Sequence, residues 1–252
     1  MGHLQSLSLP RSARWRAVVD LIDAGESVSG IVAAAVVAAE TATRAATKDP
    51  AFRAVSELLV TLPLEARGPG FQNFLEDRGI SAATLPDLLT GVARNLDRVP
   101  AATDLGEMSR LAYLTALGAE LEARLPGLFE PTPADLRAAL GQMTSGTGFS
   151  GIARHFFAEL TRRTLAYYLS RELASHTGDG RRFADDRDRV AFDRALAAHT
   201  WQASGIVAEF AAGWYGKTVW QGKGVTPEKI SNFSTYAFKK LRDELARRRD
   251  DN

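Results

Sequence analysis

Residues 150–176, with the sequence SGIARHFFAELTRRTLAYYLSRELASH, carry two separate apolar rows at helical spacing. One row consists of Ile152, Ala153, Phe156, Phe157, Leu160, Tyr167 and Tyr168, and the opposite row of Leu165, Leu169 and Leu173. A helix at the surface of a domain has one apolar stripe, so a helix with two is buried between neighbours. The pattern predicts a central helix of about 25 residues, about 37 Å long.

The chain on either side of this segment also has the periodicity of helices. Residues 185–213 contain a seam whose members step by four and three positions, as is typical of paired helices: Phe192, Leu196, His199, Ala203, Ile206, Phe210 and Gly213. Alternation of β-branched and polar residues, which would indicate strands, is not sustained anywhere. We therefore predict an all-α fold, a multi-helix bundle with a long antiparallel helix pair in the C-terminal half.

A loop rich in Gly, Ser and Thr at residues 143–150 is the best candidate for a hinge or domain boundary. The expected organisation is an N-terminal helical region, 1–142, followed by a C-terminal long-helix region, 143–252, with a basic terminal helix. The same pattern is compatible with one continuous domain.

Composition narrows the classes of function. The chain has 252 residues, a formal net charge of +1 and no cysteine. Without cysteine there are no disulfides, no thiolate metal ligands and no cysteine nucleophile. The most apolar run, 28–39, is shorter than the roughly 20 residues that a membrane-spanning helix needs. We expect a cytoplasmic protein that does not enter membranes.

Residues 146–151 spell G-x-G-x-x-G, the pattern of a dinucleotide-binding loop. That mechanism needs a strand before the loop and another after the helix, and neither is predicted here. A simpler hypothesis is an anion or nucleotide site, because free backbone N–H groups point outward at a helix start. The candidate residues for it are Gly148, Ser150, Gly151 and Arg154.

No catalytic group, metal site or cofactor is predicted. His155 and Glu159 share a helical face, but a metal requires three or four converging ligands. A Ser–His–acid triad and its G-x-S-x-G elbow cannot be assembled from the sequence. Arg163 lies one turn after Glu159, so an ion pair between the two is the expected arrangement.

Residues 214–223 mix aromatic and basic side chains, and the terminal helix adds further basic ones. The candidate interaction surface comprises Trp214, Tyr215, Lys217, Trp220, Lys223, Lys239, Lys240 and Arg247. From Trp214 onward there are nine Lys and Arg residues against five Asp and Glu residues. Such surfaces serve as protein hot spots or as stacking platforms for nucleic acid.

We interpret the chain as a non-enzymatic helical protein–protein interaction or scaffold subunit of a larger, bacterial-type assembly. Its expected partner is another protein chain, either a second copy or a different protein. Two alternatives stay open at this point. One is a nucleic-acid-binding protein that uses the C-terminal basic and aromatic patch, and the other is an anion- or nucleotide-binding regulator at the 146–151 loop.

Overall fold

The computed structural model describes residues 13–127, 130–220 and 224–248. Over these residues the chain forms twelve α-helices and one π-helical turn. They are α1 (Ala13–Asp23), α2 (Val28–Ala38), α3 (Glu40–Ala46), α4 (Pro50–Arg67), α5 (Phe71–Arg78), α6 (Leu85–Asp97), α7 (Asp104–Glu122), α8 (Pro133–Gln142), α9 (Gly146–Ser175), α10 (Asp186–Ala203), α11 (Gly205–Tyr215), the π-helical turn (Gly216–Trp220) and α12 (Pro227–Arg247). The described part of the chain contains no strand beyond one isolated bridge between Thr177 and Phe183. The all-α prediction is confirmed.

Helix α9 is the centre of the bundle, as its two apolar rows predict. It packs between α7 on one side and α11 and α10 on the other. The side chains of both rows are almost completely buried except that of Tyr167, which is half-buried; Phe156, Phe157, Leu165 and Tyr168 are among the buried ones. Each large apolar side chain removed from water in this way stabilises the fold by about 1.5–3 kcal/mol.

Aromatic rings from three other helices pack on Phe156 and Phe157 of α9. Phe156 makes an edge-to-face contact with Tyr113 of α7, with ring centres 6.4 Å apart. The Phe156 ring also lies 6.4 Å from Phe52 of α4, and Phe157 lies 6.2 Å from Phe233 of α12. Residues on both sides of Gln142 therefore share one apolar core. Such aromatic pairs add about 0.5–1.5 kcal/mol each beyond the area that they bury.

The second helix of the predicted long pair, over residues 185–213, runs antiparallel to α9, but it is divided into two helices, α10 and α11. Phe149, near the start of α9, lies 5.7 Å from Trp214 at the end of α11, measured between ring centres. Further along α9, Arg154 contacts Ser204, the residue between α10 and α11. The Ser204 hydroxyl donates to the carbonyl of Trp201 at 2.6 Å, a side-chain bond that competes with the helical ladder and marks the break.

Capping side chains determine where several helices begin. Asp49 caps α4, and Thr132 and Asp135 form a capping box on α8. Helix α7 is capped by Thr103, and the neighbouring Asp104 accepts a hydrogen bond from the Tyr167 hydroxyl of α9 at 2.6 Å. No helix within the described residues is both long and apolar enough to cross a bilayer.

The prediction of a flexible loop at 143–150 is wrong. Helix α9 begins at Gly146 rather than near Ser150, with Ser145 as its N-cap. The connection to α8 is only three residues long, and Met143 and Thr144 within it are buried. The glycine-rich segment therefore forms the first turns of the central helix.

Candidate interaction surface and neighbouring sites

The glycines of the predicted anion site are explained by packing. Gly148 donates its backbone N–H to the Ser145 hydroxyl at 2.9 Å, which uses the group that an anion would bind. A Cβ atom on Gly148 would lie 2.3 Å from the carbonyl oxygen of Gln142 and 2.8 Å from Cα of Met143. Only glycine allows the start of α9 to approach the end of α8 this closely.

An acidic side chain lies beside Gly151. A Cβ atom there would be 3.2 Å from the carboxylate of Glu120 on α7. Burial raises the pKa of Glu120, but hydrogen bonds from His155 and Arg124 and their charges outweigh burial, and the net pKa is below its usual range. An ionised carboxylate at this position disfavours a bound anion.

Arg154 does not complete an anion site either. Its guanidinium donates to the Ser204 hydroxyl and to the Trp201 carbonyl, both at 3.1 Å. The same group lies 4.2 Å from the centre of the Trp201 ring, a cation–π contact. Ser150 donates to the carbonyl of Thr147. Three of the four residues predicted for the anion site thus make local structural bonds, and the fourth, Gly151, lies beside a carboxylate.

The ion pair predicted between Glu159 and Arg163 is present on α9. Glu159 forms an ion pair with Arg163 at 2.7 Å and accepts a hydrogen bond from Arg162 at 2.7 Å. His155 pairs with Glu120 of α7 and makes no bond to Glu159. Among the described residues, no three histidine or acidic side chains converge in the way that a metal ion requires.

Two residues of the predicted interaction surface differ in their exposure. Tyr215 is part of the core, with 1% of its surface exposed and its ring stacked 4.5 Å from Phe149. Its inclusion in the surface is therefore wrong, because the helix turns this position inward. Trp214 is half-buried and stacks on Phe233 at 4.4 Å, so part of this residue remains accessible to a partner.

The other members of the predicted segment follow α11. Lys217 is exposed on the π-helical turn, and Trp220 is the last residue of that turn. Lys223 lies outside the described residues. Lys239 and Arg247 are exposed on α12, and Lys240 is half-buried there.

A cleft between α11 and α12 brings aromatic and basic groups together. Phe210, Trp214, Tyr236 and Lys239 line it. The rings of Phe210 and Tyr236 lie 4.8 Å apart, and 43% of Tyr236 remains exposed. Sequence reasoning missed Tyr236. The available signal was its spacing of three and four residues before Lys239 and Lys240, which places all three on one helical face.

This face continues along α12 with charges of both signs. We call Tyr236, Lys239, Lys240, Asp243 and Arg247 the α12 face. The Lys240 ammonium lies 5.4 Å from the Tyr236 ring centre. Side chains of the α12 face line a groove together with Ile206 of α11 and Glu244 of α12. The face therefore combines a half-exposed aromatic ring with both cationic and anionic groups.

Several basic residues of α12 have acidic neighbours. Arg247 and Arg248 contact Glu244 at 3.0 and 2.8 Å. Arg242 contacts Asp243 at 3.2 Å and Glu40 of α3 at 3.5 Å. This pairing reduces the positive field that a nucleic-acid backbone would meet.

The fold and this surface define a class: an all-α bundle with an aromatic and charged face on its last helix. Comparison with family models, with curated proteins and with solved structures finds no match to the chain.

Proposed function

We propose that this chain is a non-enzymatic interaction subunit and that its α12 face binds a second copy of the same chain. The observation that carries the proposal is the exposed Tyr236 ring beside charges of opposite sign on one helical face. Tyrosine and arginine, both present on the α12 face, are enriched among the residues that contribute most to binding at protein interfaces.

The spacing of the charges favours a second copy as the partner. In a two-fold symmetric dimer, when residue i of one copy contacts residue j of the other, residue j of the first copy also contacts residue i of the second. When two α12 helices lie antiparallel with the two-fold axis between positions 241 and 242, Lys240 faces Asp243 of the other copy. The same register places Tyr236 opposite Arg247, a cation–π pair. Symmetry makes each of these contacts occur twice.

The groove beside α12 supports the same arrangement. Ile206 and Phe210 of α11 form an apolar edge along the α12 face. A helix laid on the α12 face would cover this edge and the exposed part of Tyr236. Apolar burial would then supply affinity, and the charge pairs would select the register, because exposed ion pairs alone contribute only about 0–1 kcal/mol.

Sedimentation velocity of the full chain tests the proposal. We expect a concentration-dependent monomer–dimer equilibrium at concentrations up to about 100 µM, which covers dissociation constants in the micromolar range. Tyr236→Ala should shift the equilibrium to monomer. Leu111→Ala is the matched control, since Leu111 is also an exposed large apolar residue, at 51%, and lies on α7. A wild-type chain that is monomeric throughout would overturn self-association.

Titration with nucleic acid tests whether the α12 face binds DNA or RNA rather than a second copy of the chain. At low salt we expect no binding of mixed-sequence DNA or RNA, because Arg242, Arg247 and Arg248 already have acidic neighbours. Binding that is lost in a Lys239→Glu, Lys240→Glu variant would assign the α12 face to nucleic acid and contradict our proposal.

A further inference from the structure

A second cavity, which shares only Lys239 with the α12 face, lies among α2, α3, α9 and α12. Its apolar floor is formed by Val36, Ala39, Leu165 and Phe238, each buried. The cavity volume is about 80 Å³. Because one water needs about 10–15 Å³ by this measure, the space accommodates several waters or a small organic molecule.

Threonine hydroxyls form the wall of this cavity. The hydroxyls of Thr43 and Thr164 donate to carbonyls of their own helices, so their oxygens can still accept a hydrogen bond. The Thr161 hydroxyl has no hydrogen-bond partner among the described residues, although only 5% of this residue is exposed. A buried polar group without a partner is costly, and a ligand or a water molecule would satisfy it.

Three cationic side chains surround the mouth: Arg44, Lys239 and Arg242. Glu40 contacts Arg44 at 3.4 Å and Arg242 at 3.5 Å, and Arg242 also contacts Asp243. Three positive groups therefore face two carboxylates, and the rim retains a positive charge. The Arg44 side chain is 70% exposed, which leaves it free to reorient toward a ligand.

We infer that this cavity binds a small monocarboxylate with a compact apolar body. The body would contact the floor of Val36, Leu165 and Phe238, and the carboxylate would lie at the rim against Arg44 and Lys239. An anion at this rim gains charge-assisted hydrogen bonds, whereas a neutral molecule of the same shape gains only apolar contact. This inference does not depend on self-association.

Ligand-observed NMR on the full chain tests it with benzoate and with benzamide, which has a similar shape but no charge. We expect saturation transfer to benzoate at millimolar concentration and an affinity for benzamide about tenfold lower, equivalent to the loss of one charge-assisted bond. Equal binding of the two probes would contradict the assignment of a carboxylate, and no transfer to benzoate would overturn the site.

Two variants test whether benzoate binds in this cavity. Ala39→Leu fills the floor and should abolish transfer to benzoate. Arg44→Gln keeps the cavity, lies at an exposed position, and should lower benzoate affinity toward that of benzamide, since Lys239 remains. If Ala39→Leu does not fold, Arg44→Gln alone decides, and unchanged benzoate binding in it would contradict the proposal. Neither residue is on the α12 face, so sedimentation of both variants should match the wild type whichever way the ligand test falls.

Discussion

His155 Nδ1 lies 2.7 Å from Oε1 of Glu120, and this contact joins the central helix α9 to α7. Arg124 also donates to the Glu120 carboxylate and to its backbone carbonyl. Only 11% of the Glu120 side chain is exposed, so hydrogen bonds from His155 and Arg124 replace most of the hydrogen bonds that the carboxylate would make to water. An acidic group of this kind contributes stability only while it is ionised and paired.

Glu120→Gln should destabilise the fold at pH 7 by about 1–3 kcal/mol, since it removes the charge from two hydrogen bonds. The folded-state pKa of Glu120 is lowered. Its contribution is therefore fully present above the unfolded pKa of about 4.3 and is lost as the pH falls through the lower folded pKa.

Urea unfolding of the wild type and this variant at pH 7 and pH 3 measures the effect. The difference in unfolding free energy should narrow at pH 3. Glu122→Gln, an exposed position on the same helix, should have no effect at either pH. A Glu120→Gln difference that is equal at both pH values would contradict the role assigned to its ionised form.

The glycines at the start of α9 provide a second prediction. Gly148→Ala forces a Cβ atom into backbone atoms of Gln142 and Met143, so we expect destabilisation of about 3 kcal/mol. Gly146→Ala meets nothing within 4 Å and should be neutral or stabilise the helix by up to about 1 kcal/mol. Thermal unfolding of the two variants measures the difference. Equal unfolding midpoints would show that the close approach of α9 to α8 does not require glycine at position 148.

Asp49 provides a third prediction. It is 3% exposed and accepts hydrogen bonds from the backbone N–H groups of Ala51 and Ala102 and from the Thr103 hydroxyl. Asp49→Ala should cost about 3 kcal/mol, because one cap and two further bonds are lost. Thr132→Ala, at an exposed helix cap, should cost about 1 kcal/mol. Denaturant titration would contradict this account if the two costs were the same.

The helical content was predictable because apolar spacing is a local property of the sequence. The two rows on α9 and the Glu159–Arg163 pair both follow from positions four residues or fewer apart. The contact between Glu120 and His155 joins residues 35 positions apart, and no local pattern indicates it. Only the packed structure reveals contacts of this kind.

The start of α9 and the fate of Tyr215 were mispredicted for related reasons. Ser145 and Ser150 are both reasonable caps, and the close packing of Gly148 on α8 decides between them. Tyr215 is adjacent to Trp214 in the chain, but neighbouring helical positions differ by about 100° in direction. Which of the two points inward depends on where α9 and α12 lie.

A charge exchange on the α12 face provides a fourth prediction. Lys240→Asp puts two carboxylates opposite each other in the proposed antiparallel dimer, and Asp243→Lys puts two ammonium groups there. Like charges placed opposite each other disfavour association, so each single variant should sediment as a monomer. The double variant, which carries both changes, restores opposite charges and should dimerise as the wild type does.

The most direct test mixes the two single variants in equal amounts and measures sedimentation velocity. In the proposed register every contact between a Lys240→Asp chain and an Asp243→Lys chain joins opposite charges. We predict that the mixture forms a heterodimer at concentrations where each variant alone is monomeric. A mixture that stays monomeric while the wild type dimerises would contradict this register, and a monomeric wild type would contradict self-association through α12 altogether.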